Sequence, residues 1–156
     1  MNNSTAPEEN FNPVAPAPVF RFIVELTTWV WLLILGLMTF NINILTVDIS
    51  TRTGIEPWFF LFLLGISLLL LSQFNVLGDK KPHGRLVPGW LRIIIEISSA
   101  SLGIFAAWIL FGLTGGLLQA CLVLFAFFLD RERWKWFLGL RSDPPSFVKV
   151  LGYYKG

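Results

Sequence analysis

Polar and apolar stretches alternate along this chain in long blocks. Val19 to Phe40 contains no proline and is mostly apolar. About 21 helical residues, rising ~1.5 Å each, reach across a bilayer core of about 30 Å. A second apolar block runs from Pro57 to about Phe74, with Leu68 to Leu71 in series. Pro57 suits the first turn of a helix, where the N–H it lacks has no intrahelical acceptor. A third block opens at Pro88-Gly89-Trp90 and continues to about Phe111, and Gly112-Leu113-Thr114-Gly115-Gly116 reads as an uncharged tight turn. A fourth starts near Thr114 and is apolar to Leu129. The pattern predicts an all-α membrane fold within residues 19–138: four transmembrane helices as two helix hairpins.

The polar segments between and around these blocks complete the layout. Met1 to Pro18 is dotted with Pro7, Pro13, Pro16 and Pro18, which stop a helix from propagating, so an extended polar tail is expected. Asn41 to Glu56 and Asn75 to Val87 read as loops. Asp130 to Trp136 reads as the fourth helix emerging into head groups. Arg141 to Gly156, with Pro144-Pro145, Tyr153 and Tyr154, reads as a second tail. The second loop carries Lys80, Lys81 and Arg85, and the C-terminal flank carries Arg131, Arg133, Lys135 and Arg141. The first loop has only Arg52, so the positive-inside rule predicts both termini to be cytoplasmic. Trp58, Trp90, Trp134 and Trp136 fall at predicted helix ends, where amphipathic rings favour the interface. Trp29, Trp31 and Trp108 lie deeper and are expected in helix packing.

Composition sharpens the class. The chain is 54% hydrophobic and 14% charged, against roughly a quarter charged in soluble domains. With 156 residues, no second globular domain is expected. A net charge of +2, without a basic stripe, argues against nucleic acid. The first residues lack the basic and apolar regions of a signal peptide. Asn3-Ser4-Thr5 matches a glycosylation triplet but would lie on the cytoplasmic side. Cys121 is the single cysteine and reads as a small buried or lipid-facing residue.

Each odd-numbered block opens on the same ionic unit: Arg21-Phe22-Ile23-Val24-Glu25, then Arg92-Ile93-Ile94-Ile95-Glu96. Two hairpins related by a pseudo-two-fold axis along the membrane normal would produce such a pseudo-repeat. Four residues apart, arginine and glutamate share a helix face. Three readings stand open. The charges form intrahelical ion pairs at the membrane edge; they cross, Arg21 with Glu96 and Arg92 with Glu25, clamping the first helix to the third; or Glu25 and Glu96 bind protons or cations in a small transporter. Gln73, Gln119 and Ser98-Ser99-Ala100-Ser101 read as helix-packing positions. His83 reads as a solvated loop residue, since no second ligand is near it in sequence. No catalytic set, phosphate loop or metal spacing is visible. No cofactor is expected; lipid or pigment contacts stay open, without ligation by a membrane-embedded histidine.

Arg21-Phe22-Ile23-Val24-Glu25-Leu26, Phe74-Asn75-Val76-Leu77-Gly78-Asp79 and Val87-Pro88-Gly89-Trp90-Leu91-Arg92 through Glu96 resemble the YrdB-like family of small four-helix bacterial membrane proteins. The resemblance covers about residues 19 to 138. Asp130-Arg131 departs from the family's Asn-Arg, and both tails are additions. The resemblance implies the four-helix fold and no reaction. The expected role is a non-enzymatic accessory subunit, in a bacterial inner or photosynthetic membrane. It would pack against other membrane protein subunits and lipids, in a respiratory or photosynthetic complex, with its tails as clamps. The alternative is a small oligomeric transporter or channel-like protein using Glu25 and Glu96.

Overall fold

The computed structural model describes residues 16–40, 42, 53–73 and 89–140. Readings that rest on the tails, on His83, on Asn3, or on Lys80, Lys81, Arg85 and Arg141 lie outside those residues. Among the described residues there are four helices, one 3-10 turn and no strand. Helix α1 spans Pro16–Leu37 and runs into the 3-10 turn Met38–Phe40. Helix α2 spans Trp58–Gln73, α3 spans Gly89–Leu129, and α4 spans Arg131–Phe137.

The helix begins three residues earlier than the expected Val19, because Pro16 and Pro18 fall in its first turn. A missing N–H costs nothing there. By length and composition, two helices are long and apolar enough to cross a membrane: Val19–Phe40 and Gly89–Leu129, with mean hydropathies of 1.8 and 2.1 over their most apolar windows. Trp58–Leu70 is a shorter apolar helix. In each long helix only 33% of the most apolar window is buried within the protein.

Helix α3 is not one rod. Gly112 sits inside it at φ 69°, ψ −160°, a combination open essentially to glycine alone. The chain reverses there: Glu96 and Arg133, 37 positions apart, are joined by hydrogen bonds. A straight helix would hold them about 55 Å apart. The expected turn at Gly112 is therefore present, tighter than drawn, because one residue with positive φ does what five were expected to do.

Helix α1 lies against both arms of α3, and α2 packs mainly on α1. The core has two parts. Leu32, Leu35, Phe60, Ala106, Ile109 and Leu110 fill the end nearer the Gly112 turn. Val24, Ala100, Val123 and Ala126 fill the other end. Val24 thus shares its level with Ala100, and Leu35 with Ile109, so α1 and the first arm of α3 run parallel and the second arm runs back. Arg21 and Glu25 therefore lie at the same end as Glu96.

Gly112→Ala forces a side chain into that backbone region. It should lower stability by about 1–3 kcal/mol, read as a shift in the midpoint of reversible detergent unfolding. A midpoint equal to wild type would show that the turn tolerates ordinary backbone geometry.

Candidate functional site

The lower end of the bundle gathers charge. Glu25, Arg92, Glu96, Asp130 and Arg133 are all buried, with Arg92 and Arg133 at 0% exposure. Arg21 joins them, its side chain 12% exposed. Three guanidiniums and three carboxylates in apolar surroundings demand pairing, since an isolated buried ion is far costlier than a paired one.

Local sequence explains how each group arrives. Glu96 projects from the first arm of α3. Asp130, at φ −86° and ψ 4°, separates the second arm from α4, which carries Arg133. Gly89 leaves room for that helix: a Cβ at that position would collide with the Phe137 backbone. Arg133 Nη1 donates to Glu96 Oε2 at 2.8 Å and Nη2 to Oε1 at 2.6 Å. This two-pronged, charge-assisted geometry is among the strongest available to side chains. Arg21 Nη1 donates to Asp130 Oδ2 at 3.4 Å, and Arg133 Nη1 lies 3.9 Å from the same oxygen. The Phe137 ring supports two of the cations, with Arg92 Cζ 4.7 Å and Arg133 Cζ 4.4 Å from its centroid. Arg21, Glu25, Thr28, Glu96, Ser99 and Asp130, with apolar neighbours, line a cavity of about 20 Å³.

Above this cluster two hydrogen-bonded rungs cross the bundle. Trp29 Nε1 donates to Ser67 Oγ at 3.3 Å, and Ser67 Oγ lies 2.9 Å from Ser99 Oγ. That rung ties α1, α2 and the first arm of α3. Gln119 Nε2 donates to Thr27 Oγ1 at 2.8 Å while its Oε1 accepts from Trp31 Nε1 at 3.3 Å. That rung ties the second arm to α1. Beyond both rungs the buried residues among those described are apolar.

The readings from sequence fare unevenly. Glu25 and Glu96 do meet at one cavity. Glu96, however, turns both oxygens to Arg133, and pairs neither with Arg92 on its own helix nor, as in the crossed arrangement, with Arg21. Asp130 and Arg133 were expected among head groups and are buried members of the cluster. The only hint of this was the departure to aspartate at position 130 and a cation three residues on. Trp29 and Trp31 hold the packing roles expected of them, whereas Trp108 is 46% exposed. Trp58 and Trp90 are exposed; Trp134 and Trp136 are half-buried, stacked on Phe127 and Phe137. Cys121 is exposed. Among the described residues no group of three or more His, Cys, Asp or Glu is placed to hold a metal ion. No family model, curated protein or solved structure matches the chain.

Glu96→Gln leaves Arg133 buried without its carboxylate and should cost about 3–5 kcal/mol. Gln119→Leu removes a rung and should cost about 0.5–1.5 kcal/mol, the net worth of a typical intramolecular hydrogen bond. Equal losses for the two variants in detergent unfolding would contradict this ranking.

Proposed function

We propose that this chain is an integral membrane protein of four spans, arranged as two helix hairpins, acting as a non-catalytic accessory subunit of a larger membrane assembly. The observation that carries this reading is the division of the core. One end holds ion pairs between helices, and the other end is packed with Leu32, Leu35, Phe60, Ala106, Ile109 and Leu110. A conduit needs groups free to take and release a passenger along a continuous path. Here Glu96 is held through both oxygens, and the cavity beside it has room for about one water.

The outer surface supports embedding in lipid. Leu113, Leu118 and Leu124 are 70%, 68% and 67% exposed along the second arm of α3. Soluble monomers rarely display contiguous apolar surface on this scale. Each arm of α3 then counts as one span, the first of 23 residues or about 34 Å, and Gly112 forms the connection between them. The reading places both termini in the cytoplasm of a bacterial cell or photosynthetic compartment, by the distribution of lysine and arginine. The likeness of Arg21 to Glu25 and of Arg92 to Glu96 to the YrdB-like pattern agrees with four spans and assigns no reaction. The partners are other membrane subunits, respiratory or photosynthetic, together with lipid.

A second reading rests on one observation: Glu25 and Glu96 line the same cavity. In it the chain is a small oligomeric transporter and these carboxylates handle protons or cations.

Purification in mild native detergent separates the two. The accessory reading expects a larger membrane complex to come out with this chain in fixed stoichiometry. The transporter reading expects a homo-oligomer whose proton or cation flux in proteoliposomes is abolished by Glu25→Gln. A homo-oligomer with such flux would overturn the accessory assignment.

A further inference from the structure

Two stripes of side chains run along the second arm of α3 and on into α4, each at alternating steps of four and three residues. The inner one is buried: Gln119, Val123, Ala126, Asp130 and Arg133. The outer one is exposed: Leu117, Cys121, Leu124, Phe128, Arg131 and Lys135. Both keep their register across the junction, because the backbone bonding continues through it. Asp130 N–H donates to the Ala126 carbonyl, and Trp134 N–H donates to that of Asp130. Steps of three and four hold side chains on one helix face. The outer stripe is therefore one surface, apolar as far as Phe128 and cationic at Arg131 and Lys135.

The cationic end is organised. Arg131 Cζ stands 4.9 Å from the centroid of the Phe128 ring. Lys135 Nζ donates to Glu132 Oε1 at 2.8 Å, and Arg131 Nε lies 3.5 Å from the same oxygen. One carboxylate thus gathers two cations into a group of one net positive charge. The side chains of Arg131 and Lys135 remain 60% and 52% exposed. Their depth fits a membrane boundary. On the four-span reading, on which this inference rests, the Gly112 turn lies at one face of the bilayer. From there to Arg131 is ~28 Å of helix, close to the hydrocarbon thickness of about 30 Å. One leaflet is half of that, about ten residues, which reaches from Arg131 back to Cys121.

Lipid or a second copy of the chain could cover such a face. A symmetric second copy would set Arg131 and Lys135 against the same cations of its mate, and like charges oppose that contact. A phosphodiester carries the one negative charge that the Arg131–Glu132–Lys135 group lacks, and its acyl chain suits the apolar stretch below. We propose that this face seats one anionic phospholipid, with its phosphodiester at Arg131 and Lys135 and an acyl chain along Phe128, Leu124 and Cys121. Cations just outside the hydrocarbon draw anionic headgroups. The Phe128 ring holds the Arg131 guanidinium where the acyl path meets the headgroup.

Native mass spectrometry of the full-length protein, released from nanodiscs of mixed phosphatidylglycerol and phosphatidylcholine, tests the seat. The wild type should retain phosphatidylglycerol in preference. Arg131→Gln and Lys135→Gln should each reduce that retention about fivefold and leave phosphatidylcholine unaffected. Both side chains are exposed, so Tm should stay at the wild-type value. Equal retention of the two lipids, or a preference that survives the double variant, would overturn the proposal. Oxidation in phosphatidylglycerol-containing proteoliposomes checks the other occupant, since Cys121 lies on the same stripe. The chain should stay monomeric, and a disulfide-linked dimer in high yield would assign the face to a second copy. A chain that fails to float with the vesicles defeats the membrane reading itself, whereas one that floats without a lipid preference defeats the seat alone.

Discussion

The carboxylate of Glu96, held by Arg133 through both of its oxygens, sets the terms for everything at its end of the bundle. Neither ion is tolerable alone at 0–6% side-chain exposure. The pair therefore requires the second arm of α3 to return alongside the first, and requires α4 to follow it at the same end of the bundle. Gly112 and Gly89 are the backbone concessions that permit these two moves: one supplies the reversal, the other the space for Phe137. Arg21 and Asp130 then connect α1 to the same knot.

Away from this knot, polarity falls off in steps along the bundle. Charged groups give way to neutral hydrogen bonds among Trp29, Ser67 and Ser99 and among Thr27, Trp31 and Gln119. These give way to leucine, isoleucine and phenylalanine. The rungs tie the helices where the polarity changes: each joins two or three helices through interhelical hydrogen bonds. The apolar end relies on shape alone, and its helices meet at small residues such as Ala106.

The same gradient bears on what the molecule can do. Charge gathered in one place and paired across helices is a means of fastening them. Charge spread along a wet path would be a means of conducting. Here the six ionic side chains are concentrated within the first turns of α1 and α3 and the junction of α3 with α4. The faces turned outward are leucine and phenylalanine over most of their length, a surface matched to lipid or to another apolar helix.

The amino-acid order by itself determined the helical class and the turn at Gly112, though not where α1 begins. Uninterrupted apolar runs have few other solutions, and a glycine-rich break has an evident use. It also marked Arg21, Glu25, Arg92 and Glu96, because charge inside an apolar run stands out, and the four-residue spacing put each arginine and glutamate on one face. It did not disclose Glu96's partner. Local spacing favoured Arg92, whereas the choice fell to Arg133, far along the chain. Only the reversal at Gly112 brings that guanidinium within 2.6 Å. Position 133 looked like one more cation in a charged helix end, and its burial is invisible until the helix that carries it is folded back. Ion pairing depends on distance in space, and sequence supplies that distance only within a turn or two of a helix; beyond it, tertiary packing decides.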